Sequence, residues 1–331
     1  MTLTRREYLI GMGAAALWVA SGCGGDDGAR DASPAGGGRW TFTDDLGRSV
    51  SLPERPARIA AYVGTAAALW DLGVESVGVF GTLFDADGEA VAAAGSIDVA
   101  AVEHLGEEEV DLEALAALAP DLVVLQGGPS GLDPWPLTDE QLPRVEEIAP
   151  YVAVRGYGAP APEIILGYER LAGALGADLD APALVAAREE LESATESLRA
   201  AIDAKPGLVA MFTYANEDGL WVAKADDFPD LLEYRRLGLD IVEAGGPDDY
   251  FEMLSWEQAG RYPADVILHD RRPSSLQPDE LTRFPTWTRL PAVAAGQVGP
   301  WNAETVLSPQ GFAAAVAGMA ATIGAARADV V

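Results

Sequence analysis

The longest regular pattern of apolar positions lies in the middle of the chain, between residues 180 and 204. Leu184, Leu191 and Leu198 recur every seven residues, and alanines recur at the same interval three positions later. This spacing predicts one apolar stripe on a helix about 35 Å long. Asp180 is the predicted N-cap, and the Lys-Pro-Gly sequence that comes next is predicted to end the helix.

The segments on either side of this helix resemble each other. Glu113 is followed eight positions later by Asp121, and Glu257 is followed at the same distance by Asp265. Each segment opens with a short helical stretch and contains a proline, and each aspartate precedes an apolar run typical of a buried parallel strand. The repeat predicts two similar α/β lobes joined by a rigid helix; chance similarity of two helix–strand junctions is the alternative.

Strand-like and helical stretches alternate through the rest of both halves. The predicted fold class is therefore α/β, with two Rossmann-like lobes, each a mostly parallel sheet with flanking helices, joined by one long interdomain helix. A hairpin that turns at residues 45–47 is expected before the first sheet. The expected organisation is a signal peptide at 1–22, a flexible tether at 23–38, an N-terminal lobe at 39–179, the linking helix at 180–204 and a C-terminal lobe at 205–331.

The first residues carry the features of an export signal. Arg5 and Arg6 precede the uncharged stretch 9–20, which resembles a twin-arginine signal and is too short to span a bilayer as a helix. Cys23, the only cysteine in the sequence, follows Ala-Ser-Gly, which resembles a lipoprotein processing site. We expect a lipidated Cys23 to anchor the protein to the outer face of the cytoplasmic membrane, at the cell surface or in the periplasm. An incidental cysteine is the alternative.

Composition argues against several function classes. The formal net charge of −30 leaves no basic surface for nucleic acid. No nucleophile–base constellation and no phosphate-binding glycine motif is present, so an exported enzyme is a distant alternative. The two histidines, His104 and His269, are too few for a dedicated zinc or manganese binder. His269 ends a predicted strand, which leaves haem ligation open beside a purely structural role.

Several segments, in a fixed order, resemble a known family. Two of them are the repeated segments that begin at Glu113 and Glu257, and the others are 44–48, 56–59 and 290–298. Together they make the chain similar to the class III, or helical-backbone, substrate-binding lipoproteins of ABC importers for ferric siderophores, cobalamin and haem. The resemblance implies a monomer without enzymatic activity or cofactor. Such a protein captures a ferric siderophore between its lobes and delivers it to a permease dimer; cobalamin or haem is the alternative ligand.

The resemblance also implies a docking role for two residues. In this family one exposed glutamate on each lobe contacts arginines of the permease, and these glutamates map onto Glu113 and Glu257. Carboxylates at such a rim steer and register a partner with modest, salt-sensitive energy. The alternative for each is a glutamate that only complements a helix dipole.

Ligand-binding residues are expected at the carboxyl ends of the strands, where open α/β sheets bind their ligands. Aromatic side chains there supply the flat contact area that a bulky iron chelate requires. The candidates are Trp135, Tyr157, Tyr214, Tyr250, Phe251, Arg271 and Trp301.

A departure from the family pattern bears on the charge of the ligand. Some relatives carry an arginine a few residues before the first docking glutamate, whereas residues 107–109 here are all glutamate. Uncompensated carboxylates repel an anionic chelate, so we expect a neutral or weakly charged hydroxamate rather than a catecholate. Arg155, Arg271 or Arg272 is the alternative source of positive charge.

Overall fold

The computed structural model describes residues 38–107, 109–128 and 134–331. Residues Arg39–Val331 form one compact unit. The predicted signal peptide and Cys23 lie outside the described residues, as does Glu108.

An antiparallel hairpin opens the compact unit, as predicted. It consists of β1 (Trp40–Thr43) and β2 (Ser49–Leu52). The buried carboxylate of Asp44 accepts hydrogen bonds from the backbone amides of Leu46 and Arg48 in the turn. Its second oxygen accepts from the amide of Ala153, 3.0 Å away, so this side chain fixes the turn and attaches the hairpin to the first sheet.

The first lobe consists of a six-stranded sheet flanked by helices. Its elements are β3 (Ile59–Tyr62), α1 (Val63–Asp71), β4 (Gly78–Phe80), β5 (Glu103–His104), α2 (Leu112–Leu118), β6 (Leu122–Gly127), β7 (Pro134–Trp135), α3 (Gln141–Ile148), β8 (Tyr151–Arg155) and α4 (Ala161–Ala174). The strand order is β5-β4-β3-β6, with β8 and β7 both paired to β6. All described pairings are parallel except that of the short strand β7, as the alternation of elements predicted.

Helix α5 (Pro182–Asp203) joins the two lobes. Its Leu184 packs into the core of the first lobe, whereas Leu198 packs into the core of the second. The long interdomain helix is therefore confirmed. The N-cap prediction is wrong, because Ala181 and not Asp180 precedes the first helical residue, and Pro182, with its fixed φ, begins the helix without a side-chain cap.

The second lobe has a six-stranded mixed sheet. Its elements are β9 (Val209–Ala215), β10 (Gly219–Ala223), α6 (Pro229–Arg236), β11 (Asp240–Ile241), β12 (Phe251–Ser255), β13 (Val266–Asp270), α7 (Pro278–Leu281), α8 (Pro285–Thr288), α9 (Pro291–Ala294), β14 (Val298–Trp301) and α10 (Pro309–Ala325). Strands β11, β9, β13 and β14 pair in parallel, as expected. The sequence did not predict β10 and β12, which add an antiparallel edge.

The repeated aspartates have the same structural role in both lobes. The carboxylate of Asp121, before β6, accepts hydrogen bonds from the amides of Ala57 and Arg58, both at 2.9 Å. The carboxylate of Asp265, before β13, accepts from the amide of Val209, also at 2.9 Å. Each aspartate thus fixes the start of the neighbouring central strand, and the repeat in the sequence corresponds to a repeat in the structure.

A second connection between the lobes runs from β14 to α10. We call residues 302–308 the crossing segment. Its Val306 packs into the core of the first lobe, and its Ser308 donates a hydrogen bond to the carboxylate of Asp71 at the end of α1. Gln310, in α10, donates to the carbonyl oxygen of Asp71 at 2.8 Å. Helix α10 then packs along α5. Helix α5 and the crossing segment therefore both connect the two lobes.

Candidate functional site

A cavity of about 280 Å³ lies between the lobes, at the carboxyl ends of their central strands. We call its two sides the first-lobe wall and the second-lobe wall. The first-lobe wall consists of Tyr62, Gly64, Ala93, Gln126, Gly156, Tyr157 and Tyr168. The second-lobe wall consists of Trp221, Phe228, Pro229, Asp230, Asp249, Tyr250, Phe251 and Arg272. The crossing segment closes one side with Ala303, Glu304, Thr305 and Leu307.

The first-lobe wall is uncharged and projects Tyr157 across the cleft. Gly156 precedes it, and a Cβ there would stand 2.2 Å from a side-chain carbon of Gln126, so a larger residue would displace the Gln126 side chain. Burial raises the pKa of Tyr157 above its ordinary value, while the neighbouring side chains of Tyr250, on the opposite wall, and Gln126 oppose that rise. The rings of Tyr157 and Tyr250 meet edge to face, with their centroids 5.4 Å apart. This pair spans the cavity from one lobe to the other.

The second-lobe wall rests on a cluster of packed aromatic rings. The centroid of the Phe228 ring lies 5.2 Å from that of Phe251 and 5.1 Å from that of Trp301. Trp301 is buried behind the wall and also packs edge to face on Phe212. Aromatic pairs in such arrangements contribute about 0.5–1.5 kcal/mol beyond their buried area, so the cluster holds the wall in one shape.

Asp230 is a buried carboxylate on this wall. It stands in the first turn of α6, is 4% exposed, and accepts a 2.7 Å hydrogen bond from the indole nitrogen of Trp301. Burial raises the pKa of Asp230 to about 6, while hydrogen bonds from Trp301 and from backbone amides oppose that increase. The carboxyl is therefore mostly ionised at neutral pH.

Arg272 is the one cation among the described residues that line the cavity. Its guanidinium contacts Asp270 at 2.6 Å and Glu304 at 2.9 Å. Burial alone would lower the pKa of Arg272, but these two carboxylates raise it above its ordinary value, so the group stays charged. The charge of Arg272 is shared between these two carboxylates. The second-lobe wall therefore keeps an excess of negative charge.

Tyr250 has an unusual backbone conformation. Its φ is +66°, in the left-handed region that side-chain-bearing residues seldom adopt. The carboxylate of Asp227 accepts a hydrogen bond from the Tyr250 amide at 2.9 Å, and the Lys224 amide donates to the Tyr250 carbonyl at 2.8 Å. Strained residues of this kind cluster at binding sites, where neighbouring contacts hold them in place.

The structure brings together some of the predicted ligand-binding residues. Tyr157, Tyr250 and Phe251 line the cavity. Tyr214 stands beside Phe251 and donates its hydroxyl to the carbonyl of Ser274 at 2.7 Å, so it supports the wall from outside.

Two further candidates, Arg271 and Trp301, do not line the cavity. Arg271 is exposed and away from the cavity, whereas its neighbour Arg272 lines it, because successive residues leave a strand end on opposite sides. Trp301 is buried behind the wall. The backbone of Trp135 pairs with Gln126 in β7. Arg155 is exposed and does not line the cavity.

Glu107 and Glu109, which belong to the acidic stretch before Glu113, do not line the cavity. Glu107 and Glu109 line a different, shallow depression beside Gly81. The negative charge that faces a ligand comes instead from Asp230, Asp249 and Glu304.

His269 is a structural residue, and the haem-ligand alternative for it is wrong. Its side chain is fully buried, and burial lowers its pKa. Its Nε2 donates to the carbonyl of Leu276 at 2.7 Å, so its Nδ1 accepts from the hydroxyl of Thr213 at 2.9 Å. Both ring nitrogens are therefore occupied inside the second lobe.

The sequence reasoning missed several wall residues. Trp221 belongs to the unpredicted strand β10, and Glu304 lies in the crossing segment. Phe228 and Asp230 flank a proline at the start of α6. The Phe-Pro-Asp sequence is typical of a helix start with an acidic first turn, and this was the signal from which Phe228 and Asp230 could have been found.

The two predicted docking glutamates are both exposed and occupy matching places. Glu113 stands in the first turn of α2, and Glu257 in a single 3-10 turn after β12. Both turns follow strands that run toward the cavity side of their sheets. Hydrogen bonds from its own amide and from the Ser255 hydroxyl lower the pKa of Glu257, so it is ionised at neutral pH.

Within the described part of the chain, no group of three or more His, Cys, Asp or Glu residues is arranged to hold a metal ion. None of the helices in that part is long and apolar enough to cross a membrane.

Residues 60–305 match the family model for periplasmic binding proteins, Peripla_BP_2. The chain therefore belongs to this family of exported solute-binding proteins, which are not enzymes. Comparison with solved structures finds similarity to proteins of more specific function. DesE, a ferric-siderophore receptor protein from Streptomyces coelicolor, is 36% identical over 87% of this chain and 99% of its own, with a TM-score of 0.81.

More distant structures share the fold. PiuA, an iron-uptake ABC transporter substrate-binding protein from Streptococcus pneumoniae, is 21% identical over 86% of this chain and 96% of its own, with a TM-score of 0.62. The siderophore-binding protein from the fuscachelin gene cluster of Thermobifida fusca is 20% identical over 82% and 97%, with a TM-score of 0.60. A search of the curated proteins found no match.

Proposed function

We propose that this protein captures a ferric siderophore in the cavity between its lobes and delivers it to the permease of an ABC importer. The observation that carries the proposal is the aromatic cavity shared by both lobes at the carboxyl ends of their strands. The 36% identity with DesE, a ferric-siderophore receptor, supports the ligand class. A cavity of 280 Å³ is near the lower limit of about 300 Å³ for small-molecule sites, so part of a bulky chelate extends beyond it.

The charge of the cavity favours a hydroxamate ligand. A ferric trihydroxamate core is neutral, whereas a ferric tricatecholate core carries three negative charges. Asp230, Asp249 and Glu304 face the ligand, and only Arg272 among the described wall residues opposes them. Repulsion in this partly desolvated site therefore disfavours the catecholate.

A panel of ligands tests this assignment. Trp221 lines the cavity, so we expect ferric hydroxamates to quench intrinsic tryptophan fluorescence in a saturable manner. The iron-free chelators bind more weakly, because a flexible chelator must lose conformational entropy to fit the site. Tight binding of cobalamin or haem without a response to any ferric chelate would overturn the siderophore assignment. A preference for a ferric catecholate would overturn only the charge argument.

Docking onto the permease is assigned to Glu113 and Glu257. Both side chains are exposed, at matching positions of the two lobes, and neither lines the cavity. A pair of carboxylates, one on each lobe, registers a two-lobed protein on a permease dimer.

Membrane attachment is assigned to Cys23, which stands outside the described residues. A lipidated cysteine holds the protein at the membrane because each buried methylene contributes about 0.8 kcal/mol. Cys23→Ala should leave the protein unprocessed or release it into the soluble fraction. A Cys23→Ala protein that still incorporates palmitate and sediments with membranes would contradict the anchor.

A further inference from the structure

The two walls of the cavity differ in charge. The first-lobe wall contains no ionisable group other than tyrosine. The second-lobe wall carries Asp230 and Asp249, and among the described residues neither of them forms an ion pair. The single guanidinium on the wall, that of Arg272, already contacts two carboxylates. The second-lobe side of the cavity therefore lacks the positive charge that would balance its anions.

Asp230 is the anion for which this imbalance matters most. It is 4% exposed, yet it reaches the cavity surface. Among the described residues its side-chain partner is the neutral indole of Trp301, and its other donors are backbone amides. Burying a carboxylate without a cation is unfavourable, and a cationic group on a bound ligand would offset that cost.

The surroundings of Asp230 are those of a cation site. Phe228, immediately before the proline that begins α6, shares the wall with Tyr250 and Trp221. The faces of such rings attract ammonium groups, and the attraction increases when water is excluded. A carboxylate set among aromatic rings in the cavity wall therefore suits an alkylammonium group, which combines one charge with an apolar stem.

We propose that the cavity selects ferric chelates that carry a pendant ammonium group and that Asp230 is the residue that recognises this group. The proposal rests on the proposed function, because the ammonium belongs to the chelate. Asp249, exposed at the rim of the same wall, attracts the charge on entry. Under this arrangement the first-lobe wall contacts the neutral iron-bearing core, and the second-lobe wall determines the charge of the ligand.

Two chelates with the same core test the proposal. Ferric desferrioxamine B is a linear trihydroxamate that ends in a primary ammonium, and N-acetylation removes the charge with little change in shape. Both are titrated into the full-length protein and followed by tryptophan fluorescence. We expect the ammonium form to bind about tenfold more tightly, which corresponds to about 1.4 kcal/mol.

Variants identify the residue responsible. Asp230→Asn keeps an oxygen that accepts from Trp301 but removes the charge, so the two chelates should bind it with nearly equal affinity. Asp249→Asn changes only an exposed side chain and should reduce the preference by a smaller factor; it keeps the test valid if Asp230→Asn folds poorly. Asp279→Asn, an exposed residue of α7 away from the cavity, is the control and should keep the full preference.

The outcomes separate this proposal from the function on which it rests. Equal binding of both chelates by the unaltered protein overturns the ammonium proposal and leaves the siderophore function in place. An unchanged preference in Asp230→Asn overturns the role of that residue. Binding of neither chelate overturns the assignment to ferric hydroxamates, and this proposal with it.

Discussion

The two walls of the cavity are built on different principles, although the lobes that carry them share a repeated motif. The first-lobe wall is neutral and ends in Tyr157, which stands on a glycine at a strand end. The second-lobe wall contains the charged groups and is supported by the buried ring of Trp301. The repeated fold therefore carries two walls that differ in charge, and in our proposal the neutral wall contacts the core of the chelate while the acidic wall recognises its charge.

The strongest test of this contrast removes the support of the second-lobe wall. Trp301→Ala deletes a buried ring and removes the indole donor to the Asp230 carboxylate, so we expect the free energy of unfolding to fall by about 3–5 kcal/mol. Urea denaturation measures the loss. Trp221→Ala, on the same wall but half-buried in β10, is the matched control and should lose clearly less. Equal losses would contradict the supporting role of Trp301.

The second prediction concerns the stability cost of the buried charge. Burial raises the pKa of Asp230 from 3.8 to about 6, the neighbouring Asp270 adds to that rise, and Trp301 opposes it. The folded state therefore holds this proton more tightly than the unfolded state. The resulting stability is fully present below pH 3.8 and is lost as the pH rises through about 6.

Asp230→Asn should accordingly be more stable than the unaltered protein at pH 7.5, by at most about 3 kcal/mol, with no gain near pH 4. Urea denaturation at the two pH values, with Asp279→Asn as control, measures this difference. A variant that is less stable at pH 7.5 would show that the carboxylate contributes to folding rather than opposing it.

The framework was predictable from the sequence because its signals are local. The leucines repeated every seven residues identified α5. The equal spacing from Glu113 to Asp121 and from Glu257 to Asp265 identified two equivalent strand junctions. Strands β10 and β12 were missed, and β12 follows an acidic, glycine-rich loop that carries no strand pattern.

The cavity was harder to predict because it depends on side-chain direction. Arg271 and Arg272 are adjacent, yet only the second lines the cavity. Trp301 was predicted to contact ligand, but its ring turns inward toward Asp230. A strand alternates its faces, so an error of one residue exchanges a wall residue for a buried or exposed one.

On the first-lobe wall, Tyr157 should matter for binding and little for folding. Tyr157→Ala removes half of the aromatic pair that spans the cavity, and we expect the Kd for a ferric hydroxamate to rise about tenfold. Tyr157→Phe keeps the ring and should stay within a few-fold, which separates stacking from hydrogen bonding. If the Phe variant loses as much affinity as the Ala variant, the hydroxyl and not the ring carries the contact.

The smallest expected effects belong to the repeated glutamates, for which the lobes should behave alike. Glu113→Ala and Glu257→Ala should each weaken permease docking by about 1 kcal/mol or less, and the double variant should impair uptake more than either one. Ligand affinity should not change, because both side chains lie outside the cavity. A double variant of two other exposed glutamates, Glu147→Ala with Glu190→Ala, is the control. Normal uptake by the Glu113/Glu257 double variant would contradict the docking assignment.

The most direct test of the central claim is a crystal structure with ferric desferrioxamine B, in which anomalous scattering locates the iron. We predict an iron peak in the cavity between Tyr157 and Phe251, with the ammonium arm directed to the second-lobe wall at Asp230. An iron peak outside the cavity, or an arm that points away from the second-lobe wall, would contradict the division between a wall for shape and a wall for charge.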